Sequence, residues 1–200
     1  MKAKDSSNSM FSTSESLPRV YIKEDKSKSE EIDLSDAIGN YLHEIIYENT
    51  PSLFSRLQIE DREDEKQEEK EADVFRVSYT PPISLSNYIK RIIKYTYLDD
   101  SSLILSLIYL NRYLDTQKIN LSFQNAHRLI LASILVSIKY NEDNFCGNSY
   151  YAKVGGVTLQ ELNFFEVNFL LGVEFSLFTN SDLFSHYNSF FPTKPNKWVE

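Results

Sequence analysis

Two hundred residues carry a single cysteine, Cys146. That scarcity excludes a disulfide framework and a cysteine-based zinc site, and it suits a reducing compartment, nucleus or cytoplasm. Only five glycines and six prolines are present, too few for a sandwich or barrel built from many tight turns. No apolar run reaches the ~20 residues that span a bilayer. The start, MKAKDSSNSMF, lacks the apolar stretch of a secretory signal. No membrane partner is expected.

Positive charge is also short. The net charge is −8, and Glu60 to Asp73 (EDREDEKQEEKEAD) alone holds nine acids and three bases, a local net of −6. The remainder reads as close to neutral, without the concentrated basic face that nucleic acid needs. DNA and RNA are therefore not expected partners.

Catalytic and ligand-binding patterns are missing as well. His43, His127 and His186 stand in three separate segments, none at metal-ligand spacing. No G-x-x-x-x-G-K-[ST], G-x-G-x-x-G or G-x-S-x-G occurs, and Gly155-Gly156 reads as a helix stop rather than a phosphate cradle. Cys146 has no histidine beside it in sequence, which leaves an ordinary thiol. Glu142 and Asp143 read as a helix end rather than a general acid and base. The expectation is a chain without metal, cofactor or small-molecule substrate, and not an enzyme.

What is present is helix. The stretch LILASILVSIKYNED, Leu129 to Asp143, is apolar or small at every position to Ile138. A helix that is hydrophobic all round must be buried on all sides, so this one is expected at the centre of a soluble domain. Ser122 is its expected cap, and Lys139 marks the point where solvent begins.

In chain order, residues 1–31 are Ser- and charge-rich and read as a disordered tail, with Ser12, Ser14, Ser16 and Ser27 open to phosphorylation. Residues 32–50 show apolar positions three and four apart (Leu34, Ala37, Ile38, Tyr41, Leu42, Ile45, Ile46), a one-faced helix that must dock on something. Asp33 or Ser35 is its expected cap. Residues 51–80 read as an acidic linker, 81–192 as the compact domain, and 193–200 as a tail.

Within the domain, Ser84 caps a helix with Leu85, Tyr88, Ile89, Ile92 and Ile93 on one face, and Ile83 with Tyr88 forms a hydrophobic staple. The patch Asp99-Asp100-Ser101-Ser102 ends that helix and starts the next, which carries Leu103, Leu107, Leu110 and Leu114. The central helix is third and SYYAKV is a short fourth. Thr158 and Glu161 then form a capping box, with Val157 and Leu162 as staple, for a fifth helix bearing Leu162, Phe165, Phe169 and Leu170. A short segment from Ser181 to Phe191 closes the base. The fold class is all-α: four helices packed about a central one, with the helix at 32–50 docked on the outside.

With no catalytic set, function must lie on a surface. Lys139 borders Val136 and Tyr140, while Glu166 sits between Phe165 and Phe169 near Leu162, Leu170 and Phe175. A charged pair set in apolar surface can hold a partner helix in register, area giving affinity and charge giving orientation.

At this point the segments PPISLSNYIKRI, SLIYLNRYL, NAHRLILASILVSIKYNED and above all NSYYAKVGGVTLQELNFFEVNFLLGVEF resemble the cyclin box of the P/U-type, phosphate-pathway-like cyclins. The resemblance runs from Ile83 to Phe191, a little over half the chain, and the helix at 33–49 is similar to the one preceding the box in that class. It implies a non-catalytic subunit that forms a heterodimer with a cyclin-dependent protein kinase and activates it. By the same resemblance Lys139 and Glu166 contact the kinase's mobile helix, with Tyr140, Val136, Leu170, Phe175 and Leu177 as apolar contacts.

Departures from the family pattern matter too. An arginine opening the first box helix and an aspartate in the second are replaced together by Pro82 and Asn111, and a substrate-docking tryptophan by Tyr88. The arginine-bearing docking motif is also missing. The chain ends soon after one box, so one box is expected. Two rivals remain at this stage: a cyclin-fold transcription factor, which needs a basic face, and a scaffold that binds without activating.

Overall fold

The structure, a computed structural model of the chain, describes residues 33–49 and 73–191. The Ser-rich segment 1–31, the acidic run 60–72 and the tail 193–200 lie outside the described residues. Seven helices and no strand occur among those that are described. They are α1 (Leu34–Asn49), α2 (Leu85–Thr96), α3 (Asp100–Gln117), α4 (Ala126–Asn141), α5 (Asn148–Gly155), α6 (Leu159–Gly172) and α7 (Ser181–Phe190).

Helix α4 is the hub that its composition demands. Every residue from Leu129 to Ile138 is buried. It packs chiefly on α3 and α6 and touches α2, while Gly155 at the end of α5 comes so close to Leu131 that an added Cβ would stand 2.4 Å from a leucine methyl. The two serines in the buried run keep their hydroxyls satisfied, Ser133 donating to Ile130 O at 2.9 Å and Ser137 to Ser102 O in α3 at 2.6 Å. Each would otherwise cost about 1–3 kcal/mol as an unpaired buried group.

Helix starts follow the local chemistry. Ser84 accepts from Asn87 N at 3.3 Å, Asp99 from Ser101 N at 3.0 Å, and Asn180 from Leu183 N at 2.8 Å. Thr158 and Glu161 form the reciprocal capping box of α6. Gly156, at φ +72°, ends α5 in the left-handed region that glycine enters without strain. The cap expected at Ser122 is displaced, for α4 begins at Ala126. Asn125 organises the turn instead. Its Oδ1 accepts from Ser122 N at 2.8 Å and its Nδ2 donates to Asn120 O at 3.0 Å, so residues 122–125 turn rather than wind.

The linker boundary also moves. Asp73 to Thr80, read from the sequence as the end of an acidic linker, is part of the domain. Phe75 is fully buried, with ring centroids 5.5 Å from Tyr113, 5.3 Å from Phe165 and 6.5 Å from Phe169. Val77 N donates to Gln124 O at 2.9 Å, and Asp73 accepts from Asn125 Nδ2 at 2.7 Å. Burial, with Asp73 nearby as a second cause, pushes the Tyr113 hydroxyl up to about 12. The phenylalanine is hidden from sequence reading because its short patch, Val74-Phe75-Arg76-Val77, follows directly on a run of charge.

Helix α1 docks on α2 through Gly39, where a Cβ would meet Ser86 Oγ at 2.1 Å and its Cα at 2.8 Å. A Lys90–Asp36 ion pair at 2.7 Å flanks that contact. Asn111, standing where the resemblance expects an aspartate, donates to Tyr41 OH of α1 at 3.3 Å and to Tyr187 OH of α7 at 2.9 Å. A neutral amide thus joins three helices where a charge would need a counter-ion. Tyr88 is buried, its hydroxyl donating to Gly155 O at 2.9 Å, so it ties α2 to α5 rather than offering an exposed platform.

His127 gives the fold a pH dependence. Its Nε2 lies 2.8 Å from Ile83 O, which can only accept, so the neutral ring carries its proton there and buries a bare, unpartnered Nδ1. Protonation would place a charge where no acceptor waits, and burial accordingly pushes its pKa down, the Ile83 carbonyl opposing in part. A histidine with depressed folded pKa binds fewer protons folded than unfolded, so stability falls as pH drops through the unfolded value of about 6.5. We expect the melting temperature to decrease between pH 7.5 and 5.5. His127→Gln, which can still donate to Ile83 O, should flatten that slope; an unchanged slope would assign it to other groups.

Candidate functional site

Lys139 lies in the last turn of α4 and Glu166 in the middle of α6, helices packed directly on each other. Lys139 Nζ donates to Glu166 Oε1 at 2.6 Å. The other oxygen, Oε2, accepts from Asn148 Nδ2, the first residue of α5, at 2.7 Å. Asn148 also donates to Asn163 Oδ1 at 2.7 Å. The side chains of Lys139 and Glu166 are 28% and 16% exposed, so the pair is half-buried yet reachable. A lysine beside the last carbonyls of a helix is also favoured by the helix dipole.

The last turn of α4 is held in place by Asn141, whose Nδ2 donates to Ser137 O at 2.8 Å and to Tyr109 OH at 3.3 Å. Tyr140, between Lys139 and Asn141 in the chain, is exposed. Leu170 lies one turn after Glu166 on the same helical stripe and is partly exposed. Beyond α6 the chain takes an unusual course. Glu174 and Phe175 both adopt left-handed backbone at φ 54°, with Phe175 N donating to Leu170 O at 2.9 Å. Left-handed backbone costs on the order of 1–2 kcal/mol for each such residue. The conformation leaves the Phe175 ring 63% exposed. Arg112 of α3 pins the segment by donating to Ser176 O and, at 3.5 Å, to Phe178 O.

Two of the residues read from the sequence do not join this face. Val136 is 3% exposed and Leu177 is buried. Val136 faces the interior because α4 is covered on all sides until Lys139, and Leu177 turns inward just after the pinned segment. Lys139, Glu166, Tyr140, Leu170 and Phe175 remain. Sequence reasoning missed Asn148, since an asparagine in a polar stretch carries no signal until the fold brings α5 against α6. It also missed the exposed Val167 and Leu171 of α6, where apolar residues occur on more than one face and composition does not tell the faces apart, and the exposed Phe178 in the segment that follows. Among the described residues no group of three or more His, Cys, Asp or Glu could hold a metal ion, and no helix is long and apolar enough to cross a membrane.

The all-helical bundle around a buried hub is consistent with a cyclin box. The cyclin family model covers residues 20–177, and the chain belongs to the cyclin family. Among its relatives, Cyclin-U4-2 of Arabidopsis thaliana is 39% identical over 123 residues, which is 61% of this chain and 57% of that protein. Cyclin-U4-3 of Arabidopsis thaliana is 33% identical over 155 residues, 74% of this chain and 71% of its own length. Cyclin-P3-1 of Oryza sativa subsp. japonica is 32% identical over 128 residues, 64% of this chain and 54% of that relative. The chain thus spans less than two thirds of two of these three, and its similarity places it with the P/U-type cyclins, one cyclin box being present in the matched region.

Proposed function

We propose that this chain is the regulatory subunit of a cyclin-dependent serine/threonine protein kinase, which it binds as a heterodimer and activates without catalysing any step itself. The observation that carries the reading is the Lys139–Glu166 pair at 2.6 Å, half-buried at the junction of α4 and α6 beside exposed Tyr140 and Phe175. A partner helix laid across this junction covers the aromatics and donates to, or accepts from, the charged pair. Activation is then a population shift: the cyclin binds the active arrangement of the kinase better than the inactive one and holds its mobile helix inward. That movement completes the kinase's own lysine–glutamate pair and frees its activation segment. The setting is cell-cycle or nutrient-linked control, in the nucleus or cytoplasm. The test is direct titration of the full chain into purified monomeric cyclin-dependent kinases by isothermal calorimetry. A 1:1 complex with at least one is expected, and no complex with any would overturn the reading.

A further inference from the structure

A second surface lies on the walls of α2 and α5. An open cleft of about 640 Å³ runs along the junction of these helices, a volume within the range of sites that hold ligands. Lys90, Arg91 and Lys94 of α2 and Lys153 of α5 line it, with Tyr95 and Tyr150 at its edge, and no carboxylate is among its lining residues. Residues 33–49 and 73–191 contain nine lysines and arginines in all, against fourteen acids. Four of the nine therefore gather on one cleft of an otherwise acidic body. The overall near-neutrality read from the sequence concealed this, because it averages over position.

One of the four cations has a carboxylate partner among the described residues. Lys90 pairs with Asp36 at 2.7 Å, at the rim towards α1. Arg91 meets a backbone oxygen, Lys153 O, at 3.3 Å, and Lys94 lies 5.6 Å from the centre of the Tyr95 ring. Among the described residues, Arg91, Lys94 and Lys153 have no carboxylate partner. Lys90 and Lys94 stand at i,i+4 and Arg91 and Lys94 at i,i+3, spacings at which like charges repel on a helix. Bound carboxylates would turn that repulsion into attraction.

We propose that the cleft between α2 and α5 binds a short acidic peptide segment of a partner protein, its Asp and Glu side chains met by Lys90, Arg91, Lys94 and Lys153. The cations span a full turn of α2 and reach across to α5, which suits several separate carboxylates better than one compact anion. A long polyanion is disfavoured because the surrounding surface carries excess acid. The site stands whether or not the kinase reading holds, since it is measured on this chain alone.

The test is fluorescence anisotropy of a labelled hexaglutamate peptide with the full chain. Binding is expected to weaken about tenfold or more both in R91E/K94E and on raising NaCl from 50 to 200 mM. Lys118→Glu, at the end of α3 and outside the cleft, should change it less than about twofold. Should R91E/K94E fail to fold, as judged by circular dichroism, Lys153→Glu on the opposite wall must show the same loss. Equal binding by R91E/K94E, or by a hexaglutamine peptide, overturns the proposal. So does preference for a phosphoserine peptide, for a DNA oligonucleotide or for phosphatidylserine vesicles when hexaglutamate is not bound.

Discussion

Glu166→Ala is expected to weaken kinase binding by about thirtyfold or more, the loss of a central interface residue worth roughly 2 kcal/mol. Glu166 sits where α4, α5 and α6 meet, and both its oxygens are engaged, one by Lys139 and one by Asn148. Removing the carboxylate therefore takes away the charge that the proposed interface presents and also releases two donors. Those donors reach solvent, so the cost to the fold stays near 1 kcal/mol, or about 2–4 °C in a domain of this size. Glu166→Gln keeps the volume and one acceptor, and should lose affinity with almost no change in melting temperature. Calorimetric titration against the kinase, with thermal melts of each variant, separates the two effects. A variant that melts far lower while binding normally would make the pair structural and remove it from the interface.

Phe75→Ala carries the largest expected effect on stability. The ring is fully buried between Tyr113, Phe165 and Phe169, and truncating a buried phenylalanine costs about 3–5 kcal/mol. Domains of this kind are stable by only about 5–15 kcal/mol, so the variant should unfold at a much lower urea midpoint or fail to accumulate. A chain cut to begin at Pro81 loses the same ring and should fare no better. Urea denaturation followed by circular dichroism checks both. A loss under about 1 kcal/mol would show that residues 73–80 lie on the domain without supporting it.

Most of the architecture was legible because its signals are local and strong. Ten consecutive apolar or small residues force burial of α4, and a threonine followed three residues later by glutamate fixes the start of α6. The failures have physical reasons as well. Phe75 sits in the short patch Val74-Phe75-Arg76-Val77 directly after the acidic run, and only its contacts in space show its burial. Ser122 offers a hydroxyl, but Asn125 outcompetes it by making three hydrogen bonds from one side chain.

The site divides along the same line. Lys139 and Glu166 stand out as charges breaking apolar runs, and they meet at 2.6 Å. Val136 and Leu177 are of the same apolar type as the partly exposed Leu170 and the exposed Phe175, and only packing turns them inward. Asn148 and the four-cation cleft are products of tertiary placement. Their partners lie on different helices, so no sequence window contains them.

The central claim is that the Lys139–Glu166 face converts a kinase from inactive to active. Its most direct measurement is the initial rate of histone-peptide phosphorylation by the cyclin-dependent kinase that binds this chain, alone, with the wild-type chain, and with a folded K139A/E166A double variant at equal concentration. The account predicts a rise of about tenfold or more with the wild type and a rate near that of kinase alone with the double variant. Equal stimulation by both proteins, or a stable complex with no stimulation by either, would contradict it.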